Sequence, residues 1–411
     1  MAIVLFEDQR QCCGCGACQN ACPRDAITMK ADERGFVYPQ INSDLCVECK
    51  ACLKVCGYQT NPPKAEPRAC YAAAAKDAEI LQNSSSGGIF SVLAAKILNH
   101  GGVVYGAALQ WVQDKAATKH MRIETLGDLS AFQGSKYVQS EIGAAYQQCK
   151  RDLQIGKEVL FSGTPCQIAG LLAYLGQPFE RLLTVEVICH GVPNAQMFQD
   201  FLNVLEAREK KKIADFRFRH KKKGQGTDVR ITYRLPDGNV RYVVNNGHLF
   251  SYMHYFLNAS IYRSNCYSCP FATKERVADI TLGDFWGFHE EYPLVPSESG
   301  LDNSRGVSCV LVNSSKGQTA FEKCRVQMFV LDTQFERIAC HNEQLNKPSH
   351  YNQEYETILG LYQEKGYLAV ENYYRKQYFW KRFRLVILSI VPKSGKRTLQ
   401  RIIGLVRKAA K

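Results

Sequence analysis

The chain has 411 residues, 45% hydrophobic and 22% charged, the makeup of a globular protein with room for two or three cored domains, which excludes an intrinsically disordered chain. Its net charge of +13 gathers at one end: residues 375–411 carry twelve Lys/Arg and no Asp/Glu, leaving 13 − 12 = +1 for everything before them, which argues against a nucleic-acid-binding body. The eighteen cysteines are grouped as metal ligands are, and the apolar run Ile3-Val4-Leu5-Phe6 is too short for a signal peptide, so a reducing, cytoplasmic setting is expected instead of a secreted disulfide scaffold.

The first element is a cysteine run. It reads Cys12-x2-Cys15-x2-Cys18-x3-Cys22-Pro23 and, after a spacer, Cys46-x2-Cys49-x2-Cys52-x3-Cys56, the bacterial two-cluster ferredoxin pattern written twice. Three thiolates at x2 spacing wrap one 4Fe-4S cube, and the fourth, offset by x3, points to the other. The expected ligand sets are therefore crossed: Cys12, Cys15 and Cys18 with Cys56, and Cys46, Cys49 and Cys52 with Cys22. Paired zinc knuckles are the competing reading, but they use Cys-x2-Cys halves and not eight cysteines in this register. Cys13 breaks the x2 phase and is read as a bystander. Residues 1–62 are assigned to this ferredoxin-type domain, with short strands at Ala26-Ile27-Thr28-Met29 and Phe36-Val37-Tyr38-Pro39 and an exit linker at Asn61-Pro62-Pro63.

A second domain is expected from residue 68, in two parts, 68–150 and 151–345. In the first part, Gln82-Asn83-Ser84-Ser85-Ser86-Gly87-Gly88 feeds a helical apolar pattern from Ile89 to Ile97. Hydroxyls and glycines before a helix N-terminus suit an anion, or simply cap the helix behind a loop. Gly101 to Leu109 reads as a buried strand with Met121-Arg122-Ile123 as a neighbour, and Lys136 then stands among glycine and hydroxyl groups, suited to a phosphate, to a flavin edge or to solvent.

In the second part, Glu158-Val159-Leu160-Phe161 breaks at Ser162-Gly163-Thr164-Pro165-Cys166 before a helix, and Leu182 to Ile188 ends in Cys189-His190-Gly191-Val192-Pro193. Strands alternating with helices predict a parallel α/β sheet with both cysteines at its carboxyl edge, where such sheets bind ligands. The Lys/Arg-rich stretch 210–223 is read as a solvated strand face, and residues 231–244 as a hairpin turning at Pro236-Asp237-Gly238-Asn239. Cys266-x2-Cys269-Pro270 offers two more thiolates. With Cys166 and Cys189 they make a third four-thiolate set, read as a further 4Fe-4S cluster; a zinc site, a redox-active dithiol and a Cys166/His190 nucleophile pair stand as alternatives. Cys70, Cys149, Cys309, Cys324 and Cys340 default to buried thiols.

Residues 346–411 form a helical, basic tail. The apolar run Leu385 to Val391 cannot span a bilayer, which needs about 20 residues. Leu399, Ile402, Ile403 and Val406 at helical spacing among Arg and Lys suit an anionic membrane surface, or an acidic partner.

Ser84-Ser85-Ser86-Gly87-Gly88, Gly134-Ser135-Lys136-Tyr137-Val138-Gln139-Ser140, Gly163-Thr164-Pro165-Cys166, Ile188-Cys189-His190-Gly191-Val192-Pro193, Cys266-x2-Cys269-Pro270 and Asp279-Ile280-Thr281-Leu282-Gly283-Asp284-Phe285-Trp286-Gly287, in that order, resemble the beta subunit family of coenzyme F-420 hydrogenase/dehydrogenase, preceded by a fused two-cluster ferredoxin. The resemblance spans residues 5–345. It implies a flavin domain of α/β (α+β) class holding FAD beside an Fe-S cluster, with Ser86, Gly87, Gly88, Lys136, Asp284 and Trp286 at the flavin and Cys166, Cys189, Cys266 and Cys269 at the cluster. The family includes deazaflavin-reducing subunits and occurs beside bacterial polysaccharide genes. A ferredoxin-coupled flavin reductase is therefore expected, taking electrons from a ferredoxin-like donor protein to an organic acceptor, with His190 as proton donor. An electron-transfer subunit serving a partner enzyme is the rival, and a regulatory Fe-S protein without flavin a third class. No Gly-x-Gly-x-x-Gly or Walker run supports a Rossmann nicotinamide or P-loop site.

Overall fold

The computed structural model describes residues 3–60, 62–221, 224–296 and 299–390. The basic segment 399–408 and the rest of the tail from residue 391 therefore lie outside the described residues.

The cysteine-run module is built on one short hairpin, β1 (Ile27–Ala31) against β2 (Val37–Ile41), antiparallel, with a helical turn on each side at Ala17–Ala21 and Ala51–Lys54. Ile27, Phe36 and Tyr38 are buried, so the module's few apolar side chains sit where the hairpin meets the rest of the chain.

The larger unit is an eight-stranded mixed sheet. Its strands are β3 (Ala69–Ala75), β4 (Val103–Val112), β5 (Lys115–Ile123), β6 (Val159–Gly163), β7 (Leu182–Val187) and, after a separate three-stranded sheet of β8 (Lys212–Arg217), β9 (Asp228–Arg234) and β10 (Val240–Asn246), β11 (Ile280–Asp284), β12 (Ser308–Val312) and β13 (Met328–Thr333). The order is β13-β3-β12-β11-β7-β6-β4-β5. Neighbours β11, β7, β6 and β4 run parallel, whereas β5, β12 and β13 pair antiparallel with theirs. The all-parallel sheet expected from the strand-helix alternation is thus corrected to a parallel centre with antiparallel additions. The reason lies in the connections: β4 to β5 is a tight hairpin, and the β11 to β12 link returns antiparallel with only the one-turn α-helix Phe288–Glu291 among its described residues, whereas a full crossover is what lets the next strand run parallel.

β6 and β7 are apolar throughout their first residues, as strands covered on both faces must be. Helices Ile89–Asn99, Ala145–Gln154 and Pro165–Leu175 cover them, the last opening on Thr164, which forms a capping box with Gln167 behind Pro165 at the first turn. The hairpin expected at 231–244 is β9-β10. Helix Tyr355–Gln377, kinked at Gly366, packs on helix Ala195–Glu209 through Tyr362 to Asp200 (2.7 Å) and Arg208 to Glu371 (3.0 Å). It is followed by helix Phe379–Ile390, and no helix among the described residues is long and apolar enough to cross a membrane.

Candidate functional site

The carboxyl ends of β6, β7 and β11 share one edge of the sheet, and the chain delivers Cys166, Cys189 and His190, and Asp284 and Trp286 there, immediately after each strand. Cys166 lies in the first turn of its helix, where the dipole and Thr164 Oγ1 at 3.2 Å favour a thiolate. Cys266 and Cys269 arrive from a short turn and join it. The thiols of Cys189, Cys266 and Cys269 feel one another and Cys166 electrostatically, and burial, the main cause, pushes Cys266 and Cys269 up to about 12.

Cys22, Cys46, Cys49 and Cys52 line one cavity, and Cys12, Cys13, Cys15, Cys18 and Cys56 line the next, with Cys52 at the wall of both. Among the described residues, the one group of three or more His, Cys, Asp or Glu whose ligand atoms all lie within 4.8 Å is Glu291, Cys340 and His341. Four thiolates on a single zinc at about 2.3 Å would lie only about 3.8 Å apart. All three cysteine sets are therefore spread wider than a zinc knuckle requires, and their sulfur-only chemistry fits a polynuclear iron-sulfur group.

Cys13 is not the bystander its spacing suggests. It is buried, and its thiol stands between Cys15 on one side and Cys166 on the other, able to donate its single hydrogen to either, which raises its own pKa well above the usual thiol value and lowers that of both neighbours. It lies between the first and third sets. The close fit there is also visible in glycines: a Cβ at Gly170 would stand 2.9 Å from Cys15 Sγ, and one at Gly57 would strike the backbone of Ala169 at 2.4 Å. Polar contacts complete the seam, with Asn20 Nδ2 donating to Gly143 O (2.8 Å), Gln139 Nε2 to Cys13 O (3.2 Å) and Arg263 Nε to Cys12 O (3.0 Å).

Beside the thiols is a polar cleft organised by Arg219. Its guanidinium, only 2% exposed, donates to Asp284 Oδ2 (2.9 Å), Tyr137 Oη (3.1 Å) and Ser85 O (3.4 Å) and stands 5.2 Å from the Trp286 ring centroid. This corrects the reading of stretch 210–223 as a solvated face: alternation along β8 continues past its end, so Phe218 enters the aromatic core and Arg219 points to the opposite side, where it is buried and its charge is matched by Asp284. Lys221 Nζ donates to Leu81 O (2.7 Å) and to Ser86 O, Gln225 Nε2 to Asp284, and Ser135 N to Ser85 Oγ (2.7 Å). Arg219 Nε and Gln225 Oε1 are buried without a partner, donor and acceptor capacity that a bound polar group would use.

Lys136 is half-buried at the rim, donating to Gln133 O (3.0 Å); burial, then the nearby Arg217, push its pKa down to about 7 against an opposing pull from Asp215. His190 opens to solvent in a recess facing Asp284 and Arg219, with its pKa lowered by desolvation. Gly87 serves packing and not ligand approach: its Cβ would meet Ala73 O at 2.2 Å, while Ser86 Oγ and Gly87 N bond to Val307 O and Ser308 Oγ (both 2.9 Å). Gly88 is the left-handed cap of helix Ile89–Asn99.

Cys70, Cys149, Cys309 and Cys324 are buried as expected, but Cys340 is exposed beside Glu291 and His341. Sequence reasoning missed Arg219, Arg263, Gln139 and Cys13. The one available signal was the unbroken alternation Phe216-Arg217-Phe218-Arg219.

The family model for the C terminus of the coenzyme F420 hydrogenase/dehydrogenase beta subunit matches residues 156–334, the model for the N terminus of the same subunit matches residues 70–146, and a 4Fe-4S dicluster domain matches residues 11–60. An uncharacterized ferredoxin of Methanocaldococcus jannaschii is 34% identical over 56 residues, which are 14% of this chain and 71% of that one. A chain of the F420-reducing NiFe hydrogenase complex from Methanosarcina barkeri, solved as a xenon derivative, is 18% identical, with a TM-score of 0.37 over 76% of this chain and 91% of its own.

Proposed function

Because the chain belongs to the coenzyme F420 hydrogenase/dehydrogenase beta subunit family and carries a fused 4Fe-4S dicluster domain, and is thus an iron-sulfur electron-transfer protein, we propose that it is a ferredoxin-coupled flavin reductase acting on an organic acceptor. In this reading the twelve cysteines of the three sets hold three 4Fe-4S clusters, which supply one-electron transfer, and the Arg219 cleft holds FAD, which supplies conversion between one-electron and two-electron chemistry.

The observation that carries the reading is continuity. Cys13 joins the first set to the third, and the loop from Ser135 to Gln139 has one end on Ser85 in the cleft and the other on Cys13 and Gly14. One short segment therefore holds the cleft and the thiol junction in register. Within the cleft, Arg219, Lys221 and Lys136 supply positive charge for phosphates, Trp286 an aromatic face, and His190 a proton at the open side.

Lys136 makes the proposal pH-sensitive. Its folded pKa of about 7 lies below the ordinary 10.5, so between those values the unfolded chain binds the extra proton and this residue's contribution to stability rises with pH. Anion binding needs the charged form, so flavin affinity should weaken as pH rises through about 7, and Lys136→Met should flatten that dependence.

Anaerobic purification tests the whole proposal. About 12 iron with one FAD per chain supports it, whereas about 8 iron removes the third cluster and absent flavin removes the reductase. A second reading, a subunit that only relays electrons to a partner enzyme, is favoured by the exposed Leu45, Val47 and Leu53 around exposed Cys49, an apolar rim suited to a docking protein. Turnover of a free deazaflavin or of a carbonyl or sugar-nucleotide acceptor by the purified protein and reduced ferredoxin alone would decide against it. Peripheral membrane attachment through the tail is proposed on the exposed Phe379, Trp380 and Phe383 among basic residues, and is tested by sedimentation with anionic vesicles, which deletion of residues 375–411 should abolish.

A further inference from the structure

Three arginines are buried around the thiol sets and the cleft, and two are matched by a carboxylate: Arg219 by Asp284 at 2.9 Å and Arg276 by Glu186 at 2.5 Å. Arg263 is different. It is 0% exposed, and among the described residues no carboxylate oxygen lies within 4.0 Å of it. Its neutral contacts are few. Nε donates to Cys12 O at 3.0 Å, Nη1 reaches Gln139 Oε1 at 3.5 Å, and the guanidinium lies 4.0 Å from the Tyr38 ring centroid and 5.9 Å from that of Phe36. Nη2 has no partner.

A buried charge left without a counter-charge is strongly unfavourable, so an anion must stand nearby. Arg263 is tied to both sets: Nε donates to the carbonyl of Cys12, on the first, and Cys266 N, on the third, donates to Arg263 O at 2.9 Å, so the sulfurs of those two sets are the groups positioned to supply the negative charge. Tyr38 and Phe36 belong to the ferredoxin-type module and Arg263 to the sheet unit, so the guanidinium spans the seam between the two sets. Gln139 fixes it there, gripping Cys13 O and Gly14 O with its own amide nitrogen.

We infer that Arg263 is a positioning residue that acts as the shared counter-ion of the Cys12/Cys15/Cys18/Cys56 and Cys166/Cys189/Cys266/Cys269 sets, raising the reduction potential of the cluster each holds while leaving the Cys22/Cys46/Cys49/Cys52 set untouched. The inference rests on the cluster assignment proposed above. The redox step is the gain of one electron by a four-iron unit with four thiolates, with no proton moved and no bond made or broken. It adds negative charge, and a fixed cation beside it stabilises the reduced form more than the oxidised one. Sharing one cation between two adjacent sets also draws their potentials together, which suits reversible electron exchange across the seam.

The test is an EPR-monitored titration of the full-length, anaerobically purified protein, with dithionite supplying the electrons through mediators, on the unmodified chain, Arg263→Gln and Arg263→Lys. Signals are assigned with Cys22→Ser and Cys56→Ser proteins. Arg263→Gln keeps a donor for Cys12 O but no charge; it should make reduction of both flanking clusters at least tenfold less favourable, about 59 mV for one electron, with the remaining cluster unmoved. Arg263→Lys should stay near the unmodified values. Iron lost from the two flanking sets in Arg263→Gln but kept in Arg263→Lys would support the inference equally. Potentials that stay put in Arg263→Gln, three clusters that move together, or a lysine variant that behaves like the glutamine variant would overturn it. A missing third-cluster signal in the unmodified protein would count against the cluster assignment instead, and the Cys12 arm of the titration would still decide the role of Arg263.

Discussion

The two halves of the cysteine run are near copies in backbone and opposites in surroundings. Two residues after Cys12 the chain is left-handed at Gly14 (φ 67°), and two after Cys46 it is left-handed at Glu48 (φ 53°); the residue after Cys15 is Gly16 (φ 71°), and the residue after Cys49 is Lys50 (φ 60°). Both turns curl in the same way. Yet the first half uses glycine and the second uses side chains that this conformation disfavours. The difference follows from docking. A Cβ at Gly14 would lie 2.8 Å from Gln139 Nε2, 3.0 Å from Val37 O and 3.1 Å from Arg263 Nη1, whereas Glu48 and Lys50 are exposed. One half is fastened to the sheet unit and the other is turned to solvent, so the module has an inner and an outer cysteine set, the outer one facing solvent.

The largest expected effect comes from exchanging fourth ligands. Cys56→Ser should cost about 4 iron from the inner site although Cys56 lies in the outer half of the run, and Cys22→Ser should cost about 4 from the outer site. Iron analysis with EPR reads this directly, and full iron content in either variant would break the crossed assignment. Next in size is the rate of loss. Under a chelator, the outer site, with Cys49 exposed, should release its iron at least about tenfold faster than the other two sets, none of whose cysteines is exposed, giving a first phase of about 4 iron and a slow remainder. A single phase would mean that docking does not protect the inner site.

Gly14→Ala probes the seam itself. It incurs the left-handed Cβ penalty of about 1–2 kcal/mol and forces Gln139 or β2 to move, which together should destabilise the docked half by about 3 kcal/mol. Gly16→Ala meets nothing closer than Ile142 Cβ at 3.8 Å and should show the backbone part alone, about 1–2 kcal/mol. Hydrogen exchange over residues 12–22 separates the two, with residues 46–56 as the internal control.

How much of this was legible in the chain depends on whether the cause was local. The cysteine spacing, the hairpin at Pro236-Asp237-Gly238-Asn239 and the strand-to-turn breaks before Cys166 and Cys189 are set by residues adjacent in sequence, and the elements appear where their patterns stand. Arg219 and Arg263 were not legible, because a charged residue is buried only when a partner from elsewhere meets it: Asp284 is 65 residues from Arg219, and Cys12 is 251 from Arg263. Spacing alone marks Cys13 as idle because its partner Cys166 is supplied by the other unit. Strand β3 was missed for a like reason, since it is alanine throughout its centre and carries no alternation to mark a strand.

The smallest effect is the most direct check on the comparison. If Lys50 is left-handed only because the loop must curl, Lys50→Gly removes a penalty of about 1–2 kcal/mol in the folded chain and adds about 0.5–1 kcal/mol of backbone entropy to the unfolded one. The balance is a gain of about 0.5–1 kcal/mol, read as slower exchange over residues 46–56 with the inner half unchanged. The reciprocal substitution, Gly14→Lys, should be worse than Gly14→Ala, since the same conformation there leaves no room for any side chain. A loss of stability in Lys50→Gly would show that the lysine side chain holds the outer loop, and the exposed half would then owe its shape to its own contacts as the docked half does.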